Sequence, residues 1–232
     1  MRVSREQVAE NRRKILDEAA RLFRERGFEG VGVDAVMKAA GLTHGAFYGY
    51  FTSKEDLVAQ ACEHALAATD ATWRESSDAR SVLATRYLSK EHVRDRGGGC
   101  VFAALGSDVP RQKEDTRKTV TDAFRERVEA LAKRLPGTSV AARRKEAIAT
   151  WSGLVGSLIL ARAVDDPELE REILNAGIAT FGQTLKSKAG APRSPKKAPR
   201  DGAATSGASR SRSSSRPGRP SRSATSSRAR DE

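Results

Sequence analysis

The chain has 232 residues, with 42 Lys and Arg against 30 Asp and Glu, for a formal charge of +12. That length supports a substantial core, and the excess of cations suits a polyanionic partner. Two cysteines, Cys62 and Cys100, form no CxxC or CxxxxC pair, so neither a zinc site nor a disulfide framework is indicated. No apolar run approaches about 20 residues, and the start, Met1-Arg-Val-Ser-Arg, lacks the core of a signal peptide. A soluble, cytoplasmic protein with no membrane partner is expected.

In chain order, residues 1–10 read as a short polar arm with Arg2 and Arg5, either a phosphate contact or a frayed end. Residues 11–26 read as the first helix. Its apolar face is Ile15, Leu16, Ala19, Leu22 and Phe23, its cations (Arg12, Arg13, Lys14, Arg21) point away, and Gly27 stops it. Residues 32–51 organise the rest. Val33, Val36 and Met37 fall at helical spacing, Gly41 supplies the positive φ of a C′ position, and Thr43 caps a second helix starting near His44. Two short helices joined by such a turn make a helix-turn-helix, and the glycines in its second helix suit close approach to nucleic acid. Ser53 then caps a longer helix from Lys54 to about Arg74. Beyond Asp78 every segment reads as helix, broken at Gly97-Gly98-Gly99, Pro136-Gly137 and Asp165-Asp166-Pro167. With no convincing strand or internal repeat, the expected fold class is all-α, about nine helices.

The run from Ile15-Leu16-x-x-Ala19-x-x-Leu22-Phe23 through Ala40-Gly41-Leu42-Thr43-x-Gly45-x-Phe47-Tyr48-x-Tyr50-Phe51-x-Ser53-Lys54-Glu55-x-Leu57 resembles the DNA-binding half of the TetR family of bacterial transcriptional regulators. The resemblance covers roughly residues 9–69. It implies a DNA-binding core over 11–54, a helical effector-binding and dimerisation domain over 55–186, and no catalytic, cofactor or metal site. Thr43 and His44 would meet phosphate or a base edge, Ala46 a thymine methyl, and Tyr48 and Tyr50 phosphate oxygens. Gly45 would allow the approach, and Lys54 would hold a phosphate at the start of its helix. Phe47 and Phe51 read as core, and Tyr50 suits either role. One departure stands out: Gly32 occupies a position where family members commonly have Thr or Ser.

The same resemblance implies an unidentified small-molecule effector between helices, with Trp73, Tyr87, Phe102, Leu105, Phe124, Trp151 and Val155 as candidate lining, although aromatics at helical spacing are more often plain core. It also implies a homodimer through residues of about 146–185, with Leu154, Leu158, Ile173, Ile178 and Phe181 at the interface; Gly153, Gly156, Gly177 and Gly182 would let those helices pack closely. The expected activity is a homodimeric repressor of a palindromic double-stranded operator, released by that effector.

Cys100 opens a helix after three glycines, where a thiol pKa would fall. It is a candidate redox or electrophile sensor, with a small buried residue as the alternative. The last 46 residues, from Ser187, contain no Val, Ile, Leu, Met, Phe, Tyr or Trp and carry a net charge of +9. They should be disordered. Within them Ser194-Pro195-Lys196-Lys197 resembles the basic Ser-Pro repeats of linker histones, which suggests non-specific phosphate attraction and, as a rival reading of the whole chain, a DNA-coating protein. An enzyme is disfavoured: there are three histidines, and no GxxxxGK[ST], HExxH or GxSxG.

Overall fold

The computed structural model describes residues 4–74, 80–137 and 139–183, with the side chains of 70–74 excepted. The Trp73 side chain and the basic tail therefore lie outside what is described. Among the described residues there are nine α-helices, two short 3-10 helices and no strand. No helix is long and apolar enough to cross a membrane.

Helix α1 (Arg5–Arg26) starts earlier than the apolar period indicates. The Ser4 hydroxyl accepts from the Gln7 amide at 3.1 Å, so residues 5–10, expected as an arm, are the opening turns of α1. Gly27, at φ 75°, ends it. Helix α2 (Val33–Ala39) closes in a Schellman turn. The Leu42 amide donates to Met37 at 2.9 Å and the Gly41 amide to Lys38 at 3.1 Å, which requires the left-handed φ of 72° at Gly41. The next element, expected as a second helix, is a six-residue 3-10 helix, His44–Gly49. Two glycines in six residues weaken any α-helix, and short 3-10 pieces tolerate them.

Helix α3 (Lys54–Arg74) opens with Ser53 accepting from the Asp56 amide at 3.2 Å. Its long apolar face carries it out of the amino-terminal region. Then follow α4 (Arg80–Tyr87), α5 (Lys90–Arg94), α6 (Val101–Leu105), the second 3-10 turn (Val109–Arg111), α7 (Glu114–Arg134), α8 (Val140–Ala163) and α9 (Pro167–Phe181). Asp166 caps α9, accepting from the amides of Glu168 and Leu169, with Pro167 in its first turn.

Two apolar cores result. The first joins α1, α2 and the His44–Gly49 segment to α3 as far as Leu66, and draws in Val101 and Leu105 of α6. The amino-terminal unit is thus not closed at residue 54, because α3 and α6 supply part of its interior. The second lies among α4, α7, α8 and α9 around Tyr87, Trp151, Leu154 and Leu158. Phe102 packs against both.

This second core corrects the expected dimer interface. Leu154 and Leu158 are 0 % exposed within a single chain, so they face its interior. Ile173, Ile178 and Phe181 are half-buried against the same core. Helix α8 is apolar nearly all round, so the period of its sequence does not separate inner from outer faces. The face it leaves to solvent carries Ile148, Ser152, Ile159 and Leu160. The glycines divide the same way. A Cβ on Gly153 would lie 2.0 Å from the Phe181 ring and one on Gly177 would lie 2.6 Å from Leu88, so both serve packing within the chain. A Cβ on Gly182 would come within 3.3 Å of Ala84, whereas Gly156 has nothing within 4 Å.

Candidate nucleic-acid interface

The reading segment is held from below by aromatic packing. Phe47 and Phe51 are 1 % and 2 % exposed and stack at 5.7 Å, anchoring both ends of His44–Gly49 in the first core. With that face fixed, Tyr48 is forced outward and is 71 % exposed. Its ring meets Phe47 edge-on at 5.3 Å and His44 at 6.3 Å, so it stands at a set angle. Gly45 and Gly49 have nothing within 4 Å of where a Cβ would sit. A flat surface can therefore approach this backbone closely, with Tyr48 projecting from it.

The other expected contacts separate by environment. Thr43 is exposed and its hydroxyl makes no cap bond, which leaves it for an outside acceptor or donor. The His44 ring pairs through Nδ1 with the Asp34 carboxylate in the first turn of α2. That contact orients the ring, and Asp34 is a positioning residue that the sequence pattern did not single out. Ala46 is half-buried against the core, so its methyl is shared between the interior and the surface. Tyr50 is half-buried and its hydroxyl accepts from Asn11 Nδ2 at 3.0 Å, tying the reading segment to α1.

Lys54 begins α3. The Asp56 amide is taken by Ser53, and the Thr52 amide donates to the Asp56 carboxylate at 2.9 Å. That amide is the largest of the influences holding the Asp56 carboxyl below its ordinary range. The Lys54 amide remains for an anion, beside the Lys54 ammonium, whereas Ser53 and the Glu55 amide bond the Glu55 carboxylate and hold it below its ordinary range. Arg12 is exposed on α1 and reaches across to Gln60 of α3, and its guanidinium sits 5.5 Å from the centre of the Phe51 ring. It braces α3 against the reading segment. Gly32, the N-cap of α2, makes no side-chain cap and faces open space.

The expected effector residues with described side chains pack against one another. Tyr87, Leu105 and Trp151 are buried, and Leu105 belongs to the first core. Tyr87 meets Trp151 edge-on at 5.7 Å and Phe102 meets Phe124 at 5.4 Å. The Arg127 guanidinium lies 4.7 Å from the Phe102 ring centre and 5.9 Å from that of Trp151, whose Nε1 donates to the Arg127 carbonyl at 3.2 Å. Val155 is half-buried beside them. Two clefts lie against α1, of about 180 and 400 Å³, and none of the six expected residues with described side chains lines either.

Cys100 is the N-cap of α6, as its position after three glycines implies, but it is 0 % exposed. Its amide donates to His92 Nε2 at 3.0 Å, and Arg127 Nη1 lies 3.9 Å from its sulfur. Because an amide can only donate, Nε2 must hold a lone pair, and the ring proton sits on Nδ1, 2.7 Å from the Tyr87 carbonyl. His92 is thus oriented by backbone groups and its bond goes to the Cys100 amide, not the thiol. Burial is the main cause that lowers the His92 pKa and so favours this neutral form. A reagent would reach the Cys100 sulfur only after the packing around it opens. Cys62, on the buried face of α3, has its thiol pushed up to about 12 by burial and is inert packing.

A three-helix head with an outward aromatic on a short glycine-bearing segment, set on a helical body, defines a helix-turn-helix protein. Residues 15–61 match the family of bacterial regulatory proteins of the tetR type. The HTH-type transcriptional regulator AcrR of Shigella flexneri is 39 % identical over 62 residues, 27 % of this chain and 29 % of that one. YdgC of Bacillus subtilis (strain 168), an uncharacterized HTH-type transcriptional regulator, is 36 % identical over 87 residues, 38 % of this chain and 42 % of its own length. The matched segments thus span less than half of these relatives. Among solved structures, Escherichia coli NemR in its reduced form superposes with a TM-score of 0.62 at 21 % identity, covering 76 % of this chain and 99 % of that one. A TetR-family transcriptional regulator from Cytophaga hutchinsonii gives 0.62 at 18 % identity, covering 78 % and 98 %. Residues 15–61 thus match the amino-terminal domain of the tetR family, and the fold of the described helices is that of these structures.

Proposed function

We propose that the chain is a DNA-binding transcriptional regulator that acts as a homodimer on a palindromic operator, represses from it, and is released by a small-molecule effector. The observation that carries this reading is the exposed Tyr48 on a backbone made open by Gly45 and Gly49, flanked by Thr43 and the start of α3 at Lys54. Tyr48, Thr43 and Lys54 supply donors to phosphate oxygens, and the oriented His44 ring is placed to read a base edge in the major groove.

Dimerisation is read from the faces that α8 and α9 leave uncovered. Ile148, Ile159 and Leu160 of α8 and Leu169 of α9 are large apolar residues between 40 % and 56 % exposed. Gly156, Ser152 and Ala176 lie among them and allow close helix approach. A symmetric pair through this face would present two reading segments, and a palindrome with half-sites about 34–36 Å apart would match them. Selecting duplexes from random DNA with the purified protein tests the reading: a palindrome recovered from a dimer is expected. Recovery of no preferred sequence would instead favour general DNA coating by the basic tail. Gly156→Arg should weaken the dimer and operator binding together, read by sedimentation and by mobility shift.

A further inference from the structure

The larger cleft, of about 400 Å³, lies where the carboxyl end of α1 meets α6 and the last turn of α8. Four guanidinium groups line it: Arg24 and Arg26 from α1, Arg96 from the loop before α6, and Arg162 from α8. Its acids are already engaged, since Glu25 pairs with Arg21 at 3.0 Å and Asp108 with Arg111 at 2.6 Å. Among the described residues none of the four arginines is in an ion pair. Their hydrogen bonds go to backbone carbonyls: Arg24 Nε to Gly97; Arg162 to Val93 at 3.1 Å, His92 at 2.6 Å and Asp95 at 3.2 Å; Arg96 to Arg162 at 3.3 Å. Arg24 and Arg162 are half-buried. Burial is the main cause that lowers the pKa of each, so the fold already bears the cost of desolvating both.

We propose that this cleft binds a small dianion, a phosphate monoester or a dicarboxylate, clamped between Arg24 and Arg162. A planar guanidinium offers paired donors that match carboxylate and phosphate oxygens. Asp95 offsets part of the charge of Arg24 and Arg162, and the four cations of the cleft outnumber the two acids that line it. Its two principal cations come from the reading domain and from the helical body. An anion there bridges α1 to α8, and this is the route by which occupancy would alter the reading head. That consequence rests on the DNA-binding reading; the binding itself does not.

The test is isothermal titration of the full chain with inorganic phosphate and, separately, with succinate, at ionic strength held constant with sodium chloride. One saturable site per chain is expected for at least one of the two, and comparing them separates phosphate from carboxylate ligands. Arg26→Gln with Arg96→Gln, both exposed and safe for folding, should weaken it about tenfold or more. Arg24→Lys, which keeps the charge and loses the fork, should weaken it as well. Lys133→Gln with Arg134→Gln removes the same charge from the exposed end of α7 and should leave binding unchanged. Absence of saturable binding at millimolar anion, or equal loss in both double variants, would overturn the site; the latter outcome would mean attraction by general charge, the tail included. Operator affinity with and without the anion is then measured apart, so a failure of the DNA reading does not obscure the binding result.

Discussion

The two cores of this chain are built to different rules. The first, around Phe23, Met37, Phe47 and Leu57, has no buried charged side chain among its described residues. The second surrounds polar and charged groups: Arg127 is 5 % exposed and Thr150 is 1 % exposed, while His92 joins Tyr87 to the Cys100 amide. A core held by non-directional burial tolerates little but is insensitive to pH and small charged molecules. A core wired by hydrogen bonds has arrangements whose balance such agents can shift. The head is thus suited to presenting one fixed surface, and the body to having its packing biased. Identities of 36–39 % to relatives extend over 62 and 87 residues, against about 20 % to solved structures that cover three quarters of the chain.

The largest expected effect separates presentation from stability in the head. Tyr48→Ala with Lys54→Ala should lower operator affinity by about 10–100-fold, the loss of about 1–3 kcal/mol, with an unchanged melting temperature. Gly45→Val should do likewise by blocking approach, because nothing within the chain meets its side chain. Mobility shift and thermal melts on the same preparations check both, and a parallel fall in stability would show that these residues are structural.

Next comes the body, where the opposite pattern is expected. Gly177→Val drives a side chain into Leu88 and Ser157 and should destabilise by about 1–3 kcal/mol, partly offset by the better helix propensity. Chemical denaturation measures it; a neutral result would mean that the α8–α9 contact adapts freely.

A smaller effect follows from the His92 pKa, which burial lowers below its ordinary value of about 6.5. The unfolded chain then takes up a proton before the folded chain does. Stability is therefore fully present above about pH 6.5 and falls as pH drops toward the folded pKa, by at most about 1.4 kcal/mol per pH unit. His92→Gln should remove that slope from the difference between the two melting curves. Equal slopes would place the proton elsewhere.

The smallest concerns Gly32. Thr at this N-cap meets empty space and should stabilise by a few tenths of a kcal/mol, and it adds a hydroxyl that should tighten DNA binding modestly.

The same contrast governs what was legible in the sequence. In the head the signals are local: Gly41 at the Schellman turn, Ser53 at the α3 cap, and the alternation of buried Phe47 and Phe51 with exposed Tyr48 follow from spacing and capping chemistry. Even there residues 5–10 escaped, because the Ser4 cap starts a turn with no apolar face to mark it. So did Asp34, whose bond to His44 crosses between elements. In the body the helices were legible and their faces were not. Helix α8 offers apolar residues in every direction, so the period did not show that Leu154 and Leu158 point inward while Ile159 and Leu160 point out. The Cys100–His92–Tyr87 chain and the arginines of the α1–α8 cleft are assembled from distant segments, and no spacing encodes them.

The most direct test of the central claim is competition binding of the full chain to its selected palindromic duplex against a scrambled duplex, at one fixed physiological salt concentration. The account predicts a preference of about 10³-fold or more for the palindrome, collapsing toward the scrambled level when Tyr48 and Lys54 are both Ala. A preference that survives that double substitution would contradict it.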